Sequence, residues 1–297
     1  MSEIAITVNG LTKVFPIPFR RKSIVAVRDL NLSIRPGEIY GLLGPNGSGK
    51  STTLKIILGL LSPTRGRTEI FGIDSSEVRS RVSVGFLPEN PYFYKFLTGA
   101  ETLRFFGKLG GLTGAKLNQR IDEILTTVSL QDARDRRLST FSKGMLQRIA
   151  LAQALIHDPR VVILDEPTAG VDPAGSRDIS NLILELKGKG VTVLLSSHLL
   201  TQVQEICDRV GILSAGKLVR EGALPDLVAT PDRTELILED VSEDALREIE
   251  SVLERHTARI VKRRPATKTL EQLFLEATEG SANSSEKPDK LEEGDAP

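Results

Sequence analysis

Two patterns of apolar residues divide the chain. Short, nearly continuous apolar runs at 4–8, 24–27, 30–34, 38–43, 68–72, 83–87, 161–165, 191–197, 210–213 and 217–222 predict strands. Apolar positions three or four apart predict helices over 52–61, 101–109, 117–128, 144–156 and 174–187. The first strand is expected to end at Asn9-Gly10. Residues 15–23, with Pro16, Pro18 and the basic cluster Arg20, Arg21 and Lys22, read as an irregular solvated loop. No element is assigned between His198 and Val210. The runs at 38–43, 161–165 and 191–197 fit parallel strands covered on both faces, and those at 210–213 and 217–222 fit a closing hairpin. The result is an α/β core carrying a helical insertion at about 90–157.

Beyond Gly222 the pattern changes. Residues 235–238, 243–256, 259–261 and 269–278 predict a small β-α-β-α appendage, with Thr269 and Gln272 spaced as a capping box. Residues 280–297 are rich in Ser, Glu, Lys, Asp and Pro and have little to bury, so disorder is expected. The domain plan is 1–222, then 223–279, then 280–297.

Composition sets limits. The 297 residues are 40% hydrophobic and 26% charged, ordinary for a globular chain. Lysine plus arginine (39) balance aspartate plus glutamate (39), which gives no basic footprint for nucleic acid, and none is expected as a partner. One cysteine, Cys207, fits a reducing compartment and reads as a buried small hydrophobe. No apolar run approaches the ~18 residues of a membrane-spanning helix. The first residues have neither the basic start nor the apolar core of a signal peptide. A cytoplasmic chain is expected, reaching a membrane only through a partner.

The chemistry centres on Gly44, Pro45, Asn46, Gly47, Ser48, Gly49, Lys50 and Ser51, spaced G-x-x-x-x-G-K-S between a predicted strand and a helix that opens at Thr52. Glycines let backbone N–H groups approach phosphate oxygens, and the helix N-terminus adds unpaired N–H groups and partial positive charge. Lys50 is expected to reach the β- and γ-phosphates, and the Ser51 hydroxyl to ligate Mg²⁺. A nucleoside triphosphate with Mg²⁺ is the expected ligand. A second landmark is Asp165-Glu166, at the carboxyl end of a buried strand, where ligands bind in α/β sheets. Asp165 is expected to hold the metal, and Glu166 to act as general base on the attacking water.

Phe141-Ser142-Lys143-Gly144-Met145-Leu146-Gln147-Arg148, followed by 161–168 and by Ala169-Gly170-Val171-Asp172, resembles the ABC-family ATPases. That family runs in order through phosphate loop, glutamine loop, signature, acidic strand, D-loop and switch histidine, and this chain has every station across about residues 3–222. The resemblance implies a P-loop NTPase fold: a RecA-like, mainly parallel sheet, an antiparallel β subdomain and an inserted helical subdomain. It implies ATP as the nucleotide and a head-to-tail dimer in which Ser142, Lys143, Gly144 and Met145 of one copy close on the nucleotide of the other. It places Asp172 at the dimer seam and His198 against the γ-phosphate. Phe15 would stack on the adenine, with Phe19 a second candidate. Tyr92, Phe93 and Tyr94 would line a groove for a helix of the membrane subunit, ordinary packing being the alternative.

Two stations depart from the usual pattern. The family's signature is Leu-Ser-Gly-Gly-Gln; here Ser142 and Gly144 are kept, and the Ser-Lys-Gly-Met form resembles the ABC-2 export branch. Glu89 stands where the family often has glutamine, as a metal ligand or water-orienting group with an added negative charge. The appendage resembles the C-terminal extension of ABC-2-type subunits. The chain is thus expected to be the ATP-hydrolysing subunit of an ABC exporter. It would pair with an ABC-2-type permease and with a second copy of itself or a paralogous ATPase, on the inner face of the cell membrane. The rival reading is a soluble ABC ATPase working on ribosomes or DNA.

Overall fold

The structure is a computed structural model and describes residues 4–17, 23–229, 241–256 and 260. The chain divides into two compact units, Met1–Ala229 and Thr230–Pro297. In the first unit the elements are β1 (Ile6–Pro16), β2 (Ser23–Ile34), β3 (Ile39–Leu43), α1 (Lys50–Ile57), β4 (Arg65–Ile70), β5 (Ile73–Asp74), β6 (Val84–Leu87), α2 (Gly99–Leu109), α3 (Gly114–Thr127), α4 (Lys143–Leu155), β7 (Val161–Asp165), α5 (Pro173–Gly188), β8 (Thr192–Ser197), α6 (Leu200–Ile206), β9 (Arg209–Ser214), β10 (Lys217–Ala223) and α7 (Leu224–Val228). They build one sheet in the order β10-β9-β3-β8-β7-β6 and a second in the order β2-β1-β4-β5. In the first sheet the five strands from β9 to β6 run parallel and β10 joins antiparallel as the hairpin partner of β9. The second sheet is antiparallel throughout.

The central strands are buried along their whole length, and successive side chains serve opposite faces. Val162 and Leu164 of β7 join Leu103, Leu125, Ile149 and Ile183 of the helices on one side. Val161 and Ile163 join Leu54 and Ile57 of α1 and Ile6, Leu11 and Leu30 of the antiparallel sheet on the other. The helical insertion starts on a capping box at Thr98 and Glu101, which satisfies two donors at the first turn of α2. Ser142 caps α4, and Asp172 caps α5 with Pro173 at its first turn.

Several elements differ from expectation. β1 does not end at Asn9-Gly10 but continues to Pro16, with breaks in register between Val8 and Leu11 and again after it. Predicted strands 24–27 and 30–34 are one strand, β2, interrupted at Asp29, whose φ is +47°. The turn-forming residues were absorbed as a bulge: the Gly10 N–H donates to Asn31 Oδ1 at 2.8 Å, and the Asn31 amide donates back to the Asp29 carbonyl. The expected loop at 15–23 accordingly begins in a strand, Phe15 pairing with Ile24 and Pro16 with Ser23, while 18–22 lie outside the described residues. α6 fills the stretch after His198 where no element is predicted; its buried face is only Val203 and Ile206, too short a period to stand out.

In the second unit, α8 (Glu243–Arg255) coincides with the helix expected over 243–256. The strands expected at 235–238 and 259–261, the helix at 269–278 and the disorder over 280–297 fall outside the described residues, Ile260 excepted. Among the described residues no helix is long and apolar enough to cross a membrane.

Cys207 is buried beneath β3, where a Cβ at Gly41 would lie 3.0 Å from its sulfur. Burial, and secondarily the neighbouring Asp208, push the thiol up to about 12. Since the thiolate is the reactive form, iodoacetamide at pH 8 is expected to leave the native protein unmodified. It should alkylate this cysteine only after denaturation, with mass spectrometry as the readout.

Candidate nucleotide site

Strands β3, β7 and β8 run parallel, so their carboxyl ends open on one edge of the sheet. The register brings Leu43 beside Ser197 and Asp165 beside Ser196. The phosphate loop after β3, Glu166 after β7 and His198 after β8 therefore converge by topology, as at other carboxyl edges of α/β sheets.

The loop is shaped by backbone approach. A Cβ at Gly44 would lie 2.3 Å from the Leu213 carbonyl, and Gly49, at φ +107°, has the Ala26 carbonyl 2.4 Å from where a Cβ would be. Gly49 is the N-cap of α1 and offers no side chain, so the N–H groups of the first turn, where Ser51 and Thr52 lie, have no capping acceptor from it. Pro45, Asn46 and Gly47 form the exposed tip of the loop. Ser48 Oγ is buried and has no hydrogen-bond partner among the described residues. A buried orphan hydroxyl beside an uncapped helix N-terminus suits an anion rich in acceptor oxygens.

Lys50 is 5% exposed, and a buried ammonium needs partners. It donates to the Gly44 carbonyl at 2.7 Å and the Pro45 carbonyl at 3.4 Å, and pairs with Glu166 Oε1 at 3.5 Å. The other Glu166 oxygen, Oε2, lies 2.8 Å from His198 Nδ1. A carboxylate only accepts, so in this contact Nδ1 carries the proton and donates. Glu166 itself stands at φ +52°, uncommon for a non-glycine residue. Asp165 Oδ1 accepts from Ser51 Oγ at 3.1 Å and from Ser196 Oγ at 2.6 Å. Past the acidic pair, Thr168 Oγ1 donates to Gln202 Oε1 at 2.5 Å, tying the start of the D-loop stretch to α6.

A family model described as ABC transporter matches residues 27–169. An uncharacterized ABC transporter ATP-binding protein of Synechocystis is 39% identical over 80% of this chain and 68% of its own length. The chain belongs to the ABC transporter ATP-binding protein family. The bacitracin transport ATP-binding protein BcrA of Bacillus licheniformis is 41% identical over 66% of this ABC ATPase and 64% of BcrA. Among solved structures, the ATP-binding cassette MJ0796, a dimer in a post-hydrolysis state with ADP and Pi, matches with a TM-score of 0.68. It is 27% identical and covers 74% of this chain and 98% of the cassette. The ABC ATPase therefore has the P-loop NTPase fold and binds and hydrolyses ATP.

The remaining expected site residues are placed as follows. Ser142 is exposed at the N-cap of α4 and accepts from the Met145 N–H at 3.3 Å. Gly144 faces Val171, and the Lys143 ammonium lies against Gly170, where it would collide with a Cβ. The signature thus touches the D-loop stretch, whereas no hydrogen bond or ion pair joins Ser142, Lys143, Gly144 or Met145 to the phosphate loop among the described residues. Asp172 accepts from the Gly175 N–H at 2.7 Å. Phe15 is partly exposed at the end of β1 under the Lys13 ammonium, and its pairing partner, Ile24, lies two residues before Ala26, whose carbonyl abuts Gly49. Phe19 lies outside the described residues. Glu89 is exposed just past β6, and among the described residues no hydrogen bond joins it to Asp165 or Glu166. Of the three aromatics after it, Tyr92 and Tyr94 are exposed but Phe93 is not: it packs edge-on to Phe106 in the core of the helical insertion. The exposed aromatic surface instead groups Tyr94 with Phe96 and Phe105.

Ser196, Thr168 and Gln202 had not been singled out. Ser196 shows in the sequence only as a serine at the end of an otherwise apolar run, and its place beside Asp165 comes from the β7–β8 register.

Proposed function

We propose that the chain works as one of two ATPase subunits of an ABC-2-type exporter, with ATP and Mg²⁺ bound at the carboxyl edge of the parallel sheet. The convergence of Lys50, Ser51, Asp165, Glu166 and His198 carries this reading. Gly44 to Thr52 hold the triphosphate, Lys50 faces its β- and γ-phosphates, and Phe15 packs on the adenine. Ser51 and Asp165 present hard oxygen donors of the kind a divalent cation takes, with Glu89 available from the end of β6. Mg²⁺, when bound, neutralises charge on the transferring phosphoryl group. Glu166 takes the proton of the attacking water, and His198, with Nδ1 held by Glu166, orients it.

Lys50 and His198 both lie on the Glu166 carboxylate. A γ-phosphate would compete for those partners and leave Glu166 free to act as a base. Ser142, Lys143, Gly144 and Met145, with Asp172 at the seam, cover the nucleotide of a second copy. ATP thereby favours a closed pair, a ligand-driven population shift. Tyr94, Phe96 and Phe105 form an exposed aromatic face, with the exposed Tyr92 two residues before it in the chain, suited to a helix of a membrane subunit. The Ser-Lys-Gly-Met signature and the likeness to a bacitracin transport protein support export.

The test is a mild-detergent pull-down of the tagged Glu166→Gln protein from its native membranes, with and without ATP. A stoichiometric polytopic membrane protein is the expected companion. Recovery with ribosomes or DNA-bound proteins, and none with membranes, would overturn the transporter assignment.

A further inference from the structure

We infer that Ser196 is a positioning residue for the hydrolytic carboxylates, a role that rests on the functions proposed for Asp165 and Glu166. Ser196 is fully buried in β8 and stands opposite Asp165 in the β7–β8 register. The strand before it, Thr192 to Leu195, is buried and mostly apolar, so a hydroxyl here needs partners. It has two, and they are the two acidic residues. Ser196 Oγ donates to Asp165 Oδ1 at 2.6 Å and accepts from the Glu166 N–H at 3.0 Å, while the Ser196 carbonyl accepts from the same N–H at 3.2 Å.

One hydroxyl therefore spans adjacent residues whose tasks differ. On Asp165, the donors Ser196 and Ser51 both fall on Oδ1, which fixes the plane of the carboxylate and leaves Oδ2 free of hydrogen bonds among the described residues. On Glu166, the two acceptors hold the N–H back toward β8 just where the chain leaves β7 at φ +52°. That turn sends the Glu166 side chain to Lys50 and His198. Without the Ser196 hydroxyl, Asp165 keeps one donor and the strained turn keeps one acceptor. Ser197, similarly buried, is a built-in control: its Oγ accepts from the Leu199 N–H and, among the described residues, makes no hydrogen bond to either carboxylate.

The experiment compares wild type, S196A, S196T, S196V and S197A. Threonine and valine are near-isosteric and both suit a strand, so the pair differs in the hydroxyl alone. The readouts are ATP turnover across a Mg²⁺ titration, binding of a fluorescent ATP analogue in EDTA, and Tm. S196A and S196V should lower kcat about tenfold and raise the half-saturating Mg²⁺ about tenfold, with binding in EDTA within about twofold of wild type. S196T should recover most of both losses, and S197A should match wild type. Equal kcat and Mg²⁺ dependence in S196T and S196V would overturn the inference, whether or not the alanine variant folds. So would a loss of EDTA binding in step with kcat, the mark of a purely structural role. A wild-type protein without Mg²⁺-stimulated turnover would overturn the hydrolytic reading itself, a result that needs no substitution to observe.

Discussion

Glu166→Gln is expected to lower ATP turnover by about 10²–10⁴-fold, the usual contribution of a positioned general base, while ATP binding persists. The residue is 8% exposed, its carboxylate in reach of both Lys50 and His198, at the end of the strand that also carries Asp165. Glutamine keeps the size and one acceptor oxygen but cannot take a proton from water. It also removes the anion that Lys50 and His198 share, so the γ-phosphate meets less competition for them and ATP affinity should hold or rise. Phosphate release and equilibrium ATP binding, measured on the same preparation, separate these effects. Turnover at the wild-type rate would remove Glu166 as the base, and loss of binding would show that the carboxylate is needed to shape the loop.

Ser142→Arg attacks the other half of the proposed site. The serine is exposed and its side chain caps α4, so arginine costs the cap, about 1 kcal/mol, and sets a cation at the positive end of a helix. That is too little to unfold the cassette, whose core is buried elsewhere. If Ser142 and Gly144 cover a nucleotide held by a second copy, however, the arginine fills that space. ATP-driven pairing should be lost and turnover should fall about 10²-fold or more, as when a site loses groups aimed at the transferring phosphoryl. ATP binding by the single subunit should not change. Unimpaired turnover would contradict a site shared between two copies.

Much of this was legible in the sequence because local rules and tertiary role coincide. The G-x-x-x-x-G-K-S spacing, the buried strand ending in Asp165 and the serine cap of α4 each carry a signal within a few residues, and β3, β7, β8 and α2 to α5 fall close to their predicted places. The misreadings arose where tertiary pairing overrode a local signal. Asn9-Gly10 looks like a strand end but became a bulge, because β1 still had β2 and β4 to pair with beyond it. Phe93 looks like its neighbours Tyr92 and Tyr94, yet only it found Phe106 to pack against. Ser196 was hidden for a related reason: its meaning lies in the β7–β8 register, which sequence spacing does not encode.

The most direct test is sedimentation velocity of Glu166→Gln protein with MgATP, with MgADP and without nucleotide, beside the Glu166→Gln/Ser142→Arg double variant. The account predicts a dimer for the single variant with MgATP alone, and monomers in every other case. A monomer throughout, or a dimer that forms equally with ADP or survives Ser142→Arg, would contradict it.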